Sequence, residues 1–172
     1  RKDSKASNHL TDVNSVTFNS GKKGNAAQFI ALNSKYLNIS DNADLSTGDI
    51  NFTIAAWAYF DTVTGGTPQD IVAKYDGDTP AQREYLLLLN SATPNRLAFS
   101  VRAAGTETNV ADSGTTVNAG QWYFVMAWHD STGDTINIQV NNGAEASTSH
   151  TTGSTDSVTP FTIGVRNGVA GA

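Results

Sequence analysis

Apolar residues along this chain recur at every second position in short runs, and almost never at the three-and-four spacing of a helix. In "INFTIAAWAYFDT", Phe52, Ile54, Ala56 and Ala58 share one face while Thr53, Ala55, Trp57 and Tyr59 share the other. Neither face is strongly polar, which predicts a strand covered on both sides, with Trp57 assigned to the core because large aromatics dominate buried packing. "NRLAFSVR" sets Leu97, Phe99 and Val101 inward and Arg96, Ser100 and Arg102 outward, predicting one wet face. "WYFVMAW" divides Trp122, Phe124, Met126 and Trp128 from Tyr123, Val125, Ala127 and His129. Trp128 is set inward, so His129 points to the opposite face and Asp130 falls in the following loop. "TINIQV" places Ile136, Ile138 and Val140 inward.

The connections carry turn chemistry. "HDSTGD" has the Asp, Ser and Gly content of a short hairpin, and Asn142-Gly143 is the strongest two-residue hairpin signal. "DIVAKYDGDTPAQREYLLLL" reads as two strands around an Asp-Gly turn, with Pro80 barring regular pairing there. "AAQFIAL" and "KYLNIS", split by Asn33-Ser34, suggest a hairpin or bent strand pair, and "PFTIGV" a last short strand. No 11-residue window supports a helix. Residues 1–17 are polar and aperiodic and read as an N-terminal arm or linker; residues 18–172 read as one domain. Many short strands separated by turns predict an all-β antiparallel sandwich or jelly roll.

Composition narrows the function classes. The net charge of −5 comes from 16 acids and 11 bases, and five bases (Arg1, Lys2, Lys5, Lys22, Lys23) lie in the first 23 residues. No basic stripe interleaved with aromatics appears in the body, so nucleic acid is not expected as a partner. There are no cysteines, hence no disulfide framework and no thiolate chemistry. No apolar run approaches the roughly 20 residues of a membrane span. The chain opens on Arg1 without a signal pattern, and reads as a processed product or a piece of something longer.

The blocks "GKKGNAAQFIALNSKYLNISDNADLSTGDINFTIAAWAYFD", "IVAKYDGDTPAQREYLLLL", "RLAFSVR", "GQWYFVMAWHDSTGDTINIQVNNG" and "PFTIGVRNG" resemble, in order, the laminin G-like branch of the concanavalin A-like lectin/glucanase superfamily. The resemblance spans about residues 21–168. It implies two stacked antiparallel sheets in a jelly roll, a binding rather than catalytic role, and in some members a calcium ion on one rim. Relatives usually end on a strand reading like F-x-G-x-I-D-E-V, whereas this sequence stops at Gly171-Ala172. The domain is therefore expected to lack its closing strand, supplied by a continuation of the chain or by another chain pairing with the open sheet edge. Where pentraxin-type relatives place calcium ligands, this sequence has Gln82-Arg83 and Val165-Arg166-Asn167, and a guanidinium offers no oxygen.

Candidate chemistry is sparse. His129-Asp130 lacks a G-x-S-x-G elbow and reads as a strand end followed by an Asx-type turn. Glycoside hydrolysis needs two carboxylates about 5–9.5 Å apart. The glucanase branch carries them as E-x-D-x-x-E, while the three glutamates here (Glu84, Glu107, Glu145) are not so spaced. Asp76 and Asp78, in Asp-Gly-Asp, are the candidate calcium ligands; Asp41, Asn42 and Asp44 form a second acidic loop. The pentraxin-like resemblance implies Tyr75 as an aromatic platform, with Arg83, Arg166 and Asn167 as neighbouring ligand-binding donors. Asn38-Ile-Ser40 and Asn51-Phe-Thr53 match glycosylation sequons.

The expectation is a non-catalytic module recognising carbohydrate or a glycosylated surface, within a larger secreted, cell-surface or virus-particle protein. The competing expectation is a structural subunit of a capsid, tail or filament, self-associating through its arm and open sheet edge.

Overall fold

The residues Tyr85 to Leu89 are apolar without a break because their strand is covered on both faces: Leu87 and Leu89 lie between the two sheets, while Leu86 and Leu88 pack on the other side with Ala73, Tyr75 and Ala98. The computed structural model describes residues 1–63, 66–90, 95–103, 106–112 and 114–168. Expectations about the chain's last four residues lie outside that set.

Thirteen strands run through the described residues: β1 (Thr11–Val13), β2 (Thr17–Ser20), β3 (Asn25–Gln28), β4 (Tyr36–Ile39), β5 (Phe52–Tyr59), β6 (Gln69–Tyr75), β7 (Arg83–Asn90), β8 (Arg96–Ala103), β9 (Thr106–Ala111), β10 (Trp122–Asp130), β11 (Thr135–Val140), β12 (Ala146–Ser149) and β13 (Phe161–Ile163). The only helical pieces among them are two single 3₁₀ turns, Ala31–Asn33 and Pro80–Gln82. A seven-stranded sheet has the order β1-β4-β13-β6-β7-β8-β9, a four-stranded sheet the order β12-β11-β10-β5, and β2 pairs with β3 as a separate hairpin. All the strand ladders are antiparallel. The sheets face each other across Leu87, Leu89, Leu97, Phe99 and Val101 on one side and Tyr123, Val125, Ala127, Ile136 and Ile138 on the other. This is the two-sheet jelly-roll sandwich that the alternation predicts.

Five local expectations differ. The stretches around Asn33-Ser34 do not form a hairpin: β3 pairs with β2, while β4 lies between β1 and β13. The segment read as an arm contributes β1, because Thr11 and Val13 pair with Asn38 and Tyr36 and the Asp12 carboxylate accepts the Val16 N–H (2.7 Å) and pairs with Arg1 (2.8 Å). The second face of β8 is not wet, since Ala98 and Ser100 are buried by neighbouring structure. The tight turn after β11 is centred one residue early: Asn141 and Asn142 both adopt positive φ (52° and 57°), and the Gly143 N–H closes on the Val140 carbonyl (2.9 Å). Finally, β10 is turned over. Tyr123, Val125, Ala127 and His129 face the core, and Trp122, Phe124, Met126 and Trp128 face outward.

Candidate functional site

The residues singled out from sequence do meet. Tyr75 at the end of β6, Asp76 and Asp78 in the following turn, Arg83 at the start of β7, and Arg166 and Asn167 after β13 form one cluster on the rim. Arg83 and Arg166 place their guanidinium carbons 4.9 and 5.7 Å from the Tyr75 ring centroid. The arginines are, however, committed to internal partners. Arg83 donates to the Asp76 carbonyl (3.0 Å), the Gly77 carbonyl (2.6 Å) and Glu107 Oε2 (3.2 Å). Arg166 holds the fully buried Asp70 carboxylate through Nε and Nη2 (2.9 and 2.7 Å). Tyr75 is 5% exposed, so its ring is packing rather than a platform. Burial, with Glu107 accepting the phenol proton at 2.8 Å, pushes its pKa up to about 12.

Asp76 builds the turn. Its Oδ1 accepts the N–H groups of Asp78 (2.9 Å) and Thr79 (2.8 Å), and its Oδ2 accepts the Asn167 amide (3.2 Å). Calcium asks for six to eight oxygens at about 2.3–2.6 Å. Both oxygens of Asp76 are occupied and a guanidinium lies against the same loop, so these residues do not fit that ion.

A second acidic group was not found from sequence. Asp41, Glu84 and Asp156 bring carboxylate oxygens within 4.8 Å of one another. Lys74, fully buried, already sits among them: its ammonium pairs with Asp41 (2.9 Å) and Glu84 and donates to the Ser157 carbonyl (2.6 Å). The Glu84 side chain is also fully buried, and its Oε2 has no hydrogen-bond partner among the described residues. Burial raises the Glu84 pKa, opposed in part by Lys74 and Ser157. Lys74 supplies the positive charge a metal would otherwise bring. The lysine falls on the core-facing side of β6, a placement that residue type alone gives no reason to expect.

The most distinctive surface lies on the outer face of the four-stranded sheet. Antiparallel register sets Trp57 opposite Phe124 and Tyr59 opposite Trp122, with ring centroids 5.3 Å apart in each pair. Met126 and Trp128 continue the row opposite Ala55 and Thr53. Trp57 is 49% exposed and Tyr59 44%, correcting the expectation that Trp57 is core. Gln139 and Asn137 border the row from β11. The Asn137 amide, oriented with its oxygen towards the indole, accepts from Trp128 Nε1 (3.1 Å). Lys22, in the β2–β3 turn, holds its ammonium 5.2 Å from the Trp57 ring centroid. A signal for this face existed in sequence: β5 and β10 each carry two apolar faces, and a two-layer core can bury only one of them.

Asp130 is the last residue of β10, opposite Thr135, and not in the loop as expected, yet it makes the turn that was expected. Asp130 Oδ1 accepts from Thr132 (3.0 Å) and Gly133 (2.9 Å), an Asx-type turn. His129 points into the sandwich, bonds the Ile50 carbonyl through Nδ1 (2.9 Å) and meets the buried His150 ring at 5.4 Å. It has no nucleophile beside it among these contacts.

The fold agrees with comparisons to known proteins. The family model described as "Concanavalin A-like lectin/glucanases superfamily" matches residues 32–172. No curated protein sequence matches the chain. Among solved structures, the binding domain of Paraclostridial Mosquitocidal Protein 1 superposes with a TM-score of 0.73 at 13% identity, over 96% of this chain and 41% of that one. A structure titled HCR/D-Sa-GBL1/C gives a TM-score of 0.62 at 10% identity, over 94% and 39%. Carbohydrate-binding module CBM66 from Bacillus subtilis is more distant, at a TM-score of 0.41 and 14% identity over 92% and 88%. The chain thus spans about two fifths of the first two structures, and their likeness is one of fold. The family match covers most of the chain, and the protein belongs to the laminin G-like branch of the concanavalin A-like lectin/glucanase superfamily.

Proposed function

We propose that this domain is a non-catalytic recognition module that binds carbohydrate or a glycosylated surface, as part of a larger secreted, cell-surface or virus-particle protein. The observation that carries the reading is the half-exposed Trp57 beside Phe124, next to the Tyr59 and Trp122 pair, on a sheet face with polar residues at its border. A pyranose ring has an apolar C–H face that gains by covering an indole, while its hydroxyls stay available to amides and hydroxyls nearby. Membership of a lectin-containing superfamily and a fold shared with a binding domain support recognition over catalysis. The glutamates argue the same way, since Glu84 is neutralised by Lys74 and Glu107 is engaged by Tyr75 and Arg83.

A glycan array probed with the wild-type domain and with Trp57→Ala tests this. Retention of a saccharide by the wild type, weakened about tenfold by a variant that still folds, is expected, in line with the loss of one aromatic stacking contact. A wild-type domain that retains no saccharide overturns it.

The structural reading has one observation in its favour. β5 is an eight-residue strand at the edge of its sheet without a charged residue or proline, a template for strand addition. Concentration-dependent mass in light scattering would favour it.

A further inference from the structure

We propose that the aromatic face takes an anionic saccharide, with Lys22 and Lys23 holding its carboxylate or sulfate while a sugar ring stacks on Trp57. This rests on the carbohydrate reading and names the ligand's charge. The two lysines occupy the tip of the β2–β3 hairpin, where the Gly21 N–H bonds the Gly24 carbonyl (2.8 Å) and Gly24 adopts φ +66°. That turn brings the Lys22 ammonium to 5.2 Å from the Trp57 ring centroid. Both lysines are exposed, and neither has a carboxylate within ion-pairing distance among the described residues. Lys74, Arg83 and Arg166, by contrast, are paired.

The charge distribution points the same way. Residues 1–23 hold five bases against the two acids Asp3 and Asp12, whereas the rest of the chain is strongly acidic. Within a chain of net charge −5, the adjacent Lys22 and Lys23 at the hairpin tip are a local positive spot to which an anion is drawn. A sugar ring lying on the indole displaces the flexible Lys22 ammonium from above that ring to its edge, where an exocyclic carboxylate or sulfate comes within its reach. A neutral sugar offers both lysines hydroxyl acceptors but no charge to pair.

The test is an array of uronic-acid, sialic-acid and sulfated oligosaccharides, each printed beside its neutral counterpart, read at low and high salt. It is probed with the wild type, Trp57→Ala and Lys22→Gln/Lys23→Gln, with a single-stranded DNA oligomer as a polyanion control. Expected is retention of acidic members over their neutral counterparts, roughly fivefold weaker in the double lysine variant and weaker again in salt, and weakened also by Trp57→Ala. Equal binding of neutral counterparts, sensitive to Trp57 but not to the lysines, overturns the anionic assignment and leaves the carbohydrate reading standing. Retention unaffected by any of these variants, or matched by the DNA control, overturns the site. No retained saccharide overturns both readings.

Discussion

Lys74 and Glu84, from neighbouring strands β6 and β7, bury their opposite charges against each other with no solvent-exposed area on either side chain. The pair closes one end of the sandwich, where Ser157 donates its N–H to Glu84 Oε1 (2.8 Å) and accepts from Lys74 through its carbonyl (2.6 Å). Segments distant in sequence are thereby tied to one charge pair.

Removing one partner strands the other. Lys74→Met is expected to cost about 3–5 kcal/mol of unfolding free energy, and Lys74→Met/Glu84→Gln appreciably less, because the double variant leaves no unpaired buried carboxylate at position 84. Urea denaturation of the two variants checks the order. A double variant less stable than the single would contradict it.

His150 sets a pH dependence. It is buried, with Nδ1 near the Thr108 hydroxyl (3.0 Å) and Nε2 near the Gly153 carbonyl (2.8 Å), and His129 and Asp49 are the charged or titratable groups acting on it. Burial lowers its pKa below 6.5, opposed by the Gly153 carbonyl and Asp49. The unfolded chain therefore binds this proton more readily than the folded one. The group's contribution is complete above pH about 6.5 and is lost as pH falls from there through the folded value, at no more than about 1.4 kcal/mol per pH unit. Melting temperatures between pH 7.5 and 5 should decline in the wild type and flatten in His150→Gln.

The Asp76 turn makes a separate prediction about calcium. Asp76→Ala loses two backbone acceptor contacts and the Asn167 bridge, and is expected to destabilise by about 1–2 kcal/mol. Millimolar calcium or a chelator is expected to leave the melting temperature of the wild type unchanged, since a bound cation would raise it by mass action. Calorimetry with each additive reads this directly.

Two large aromatics should separate surface from core. Phe99 is fully buried and packs edge-on against Phe52 (6.1 Å), whereas Trp57 is half exposed. Phe99→Ala is expected to cost about 3–5 kcal/mol and Trp57→Ala less than about 1 kcal/mol. Equal losses in denaturant titrations would place Trp57 in the packed interior after all.

The legible part of the fold was the part with contrast between faces. Ile136, Ile138 and Val140 alternate with Thr135, Asn137 and Gln139, and Leu97, Phe99 and Val101 with Arg96, Ser100 and Arg102; the inward sets followed at once. β10 has no such contrast. Its bulkier set faces out because the opposing sheet already fills the interior with Leu87, Leu89, Phe99 and Val101, leaving room for Val125 and Ala127 opposite. β1, β2, β9 and β12 were not found, being short and rich in Thr, Ser and Asn, and formed through backbone pairing with neighbours rather than through an apolar stripe. The rim residues named from sequence lie together, but sequence does not say that Asp70, Glu107 and the Asp76 loop engage their donors.

All three tryptophans, Trp57, Trp122 and Trp128, stand on the outward side of the same two adjacent strands, and none lies between the sheets. The tryptophan fluorescence of the protein is therefore a reporter confined to one surface. Occupancy of that surface should shift or quench the emission of the native protein, with no label needed. Loosening between the sheets should register first in the buried tyrosines Tyr85 and Tyr123, so two excitation wavelengths would separate ligand capture from unfolding in a single cuvette.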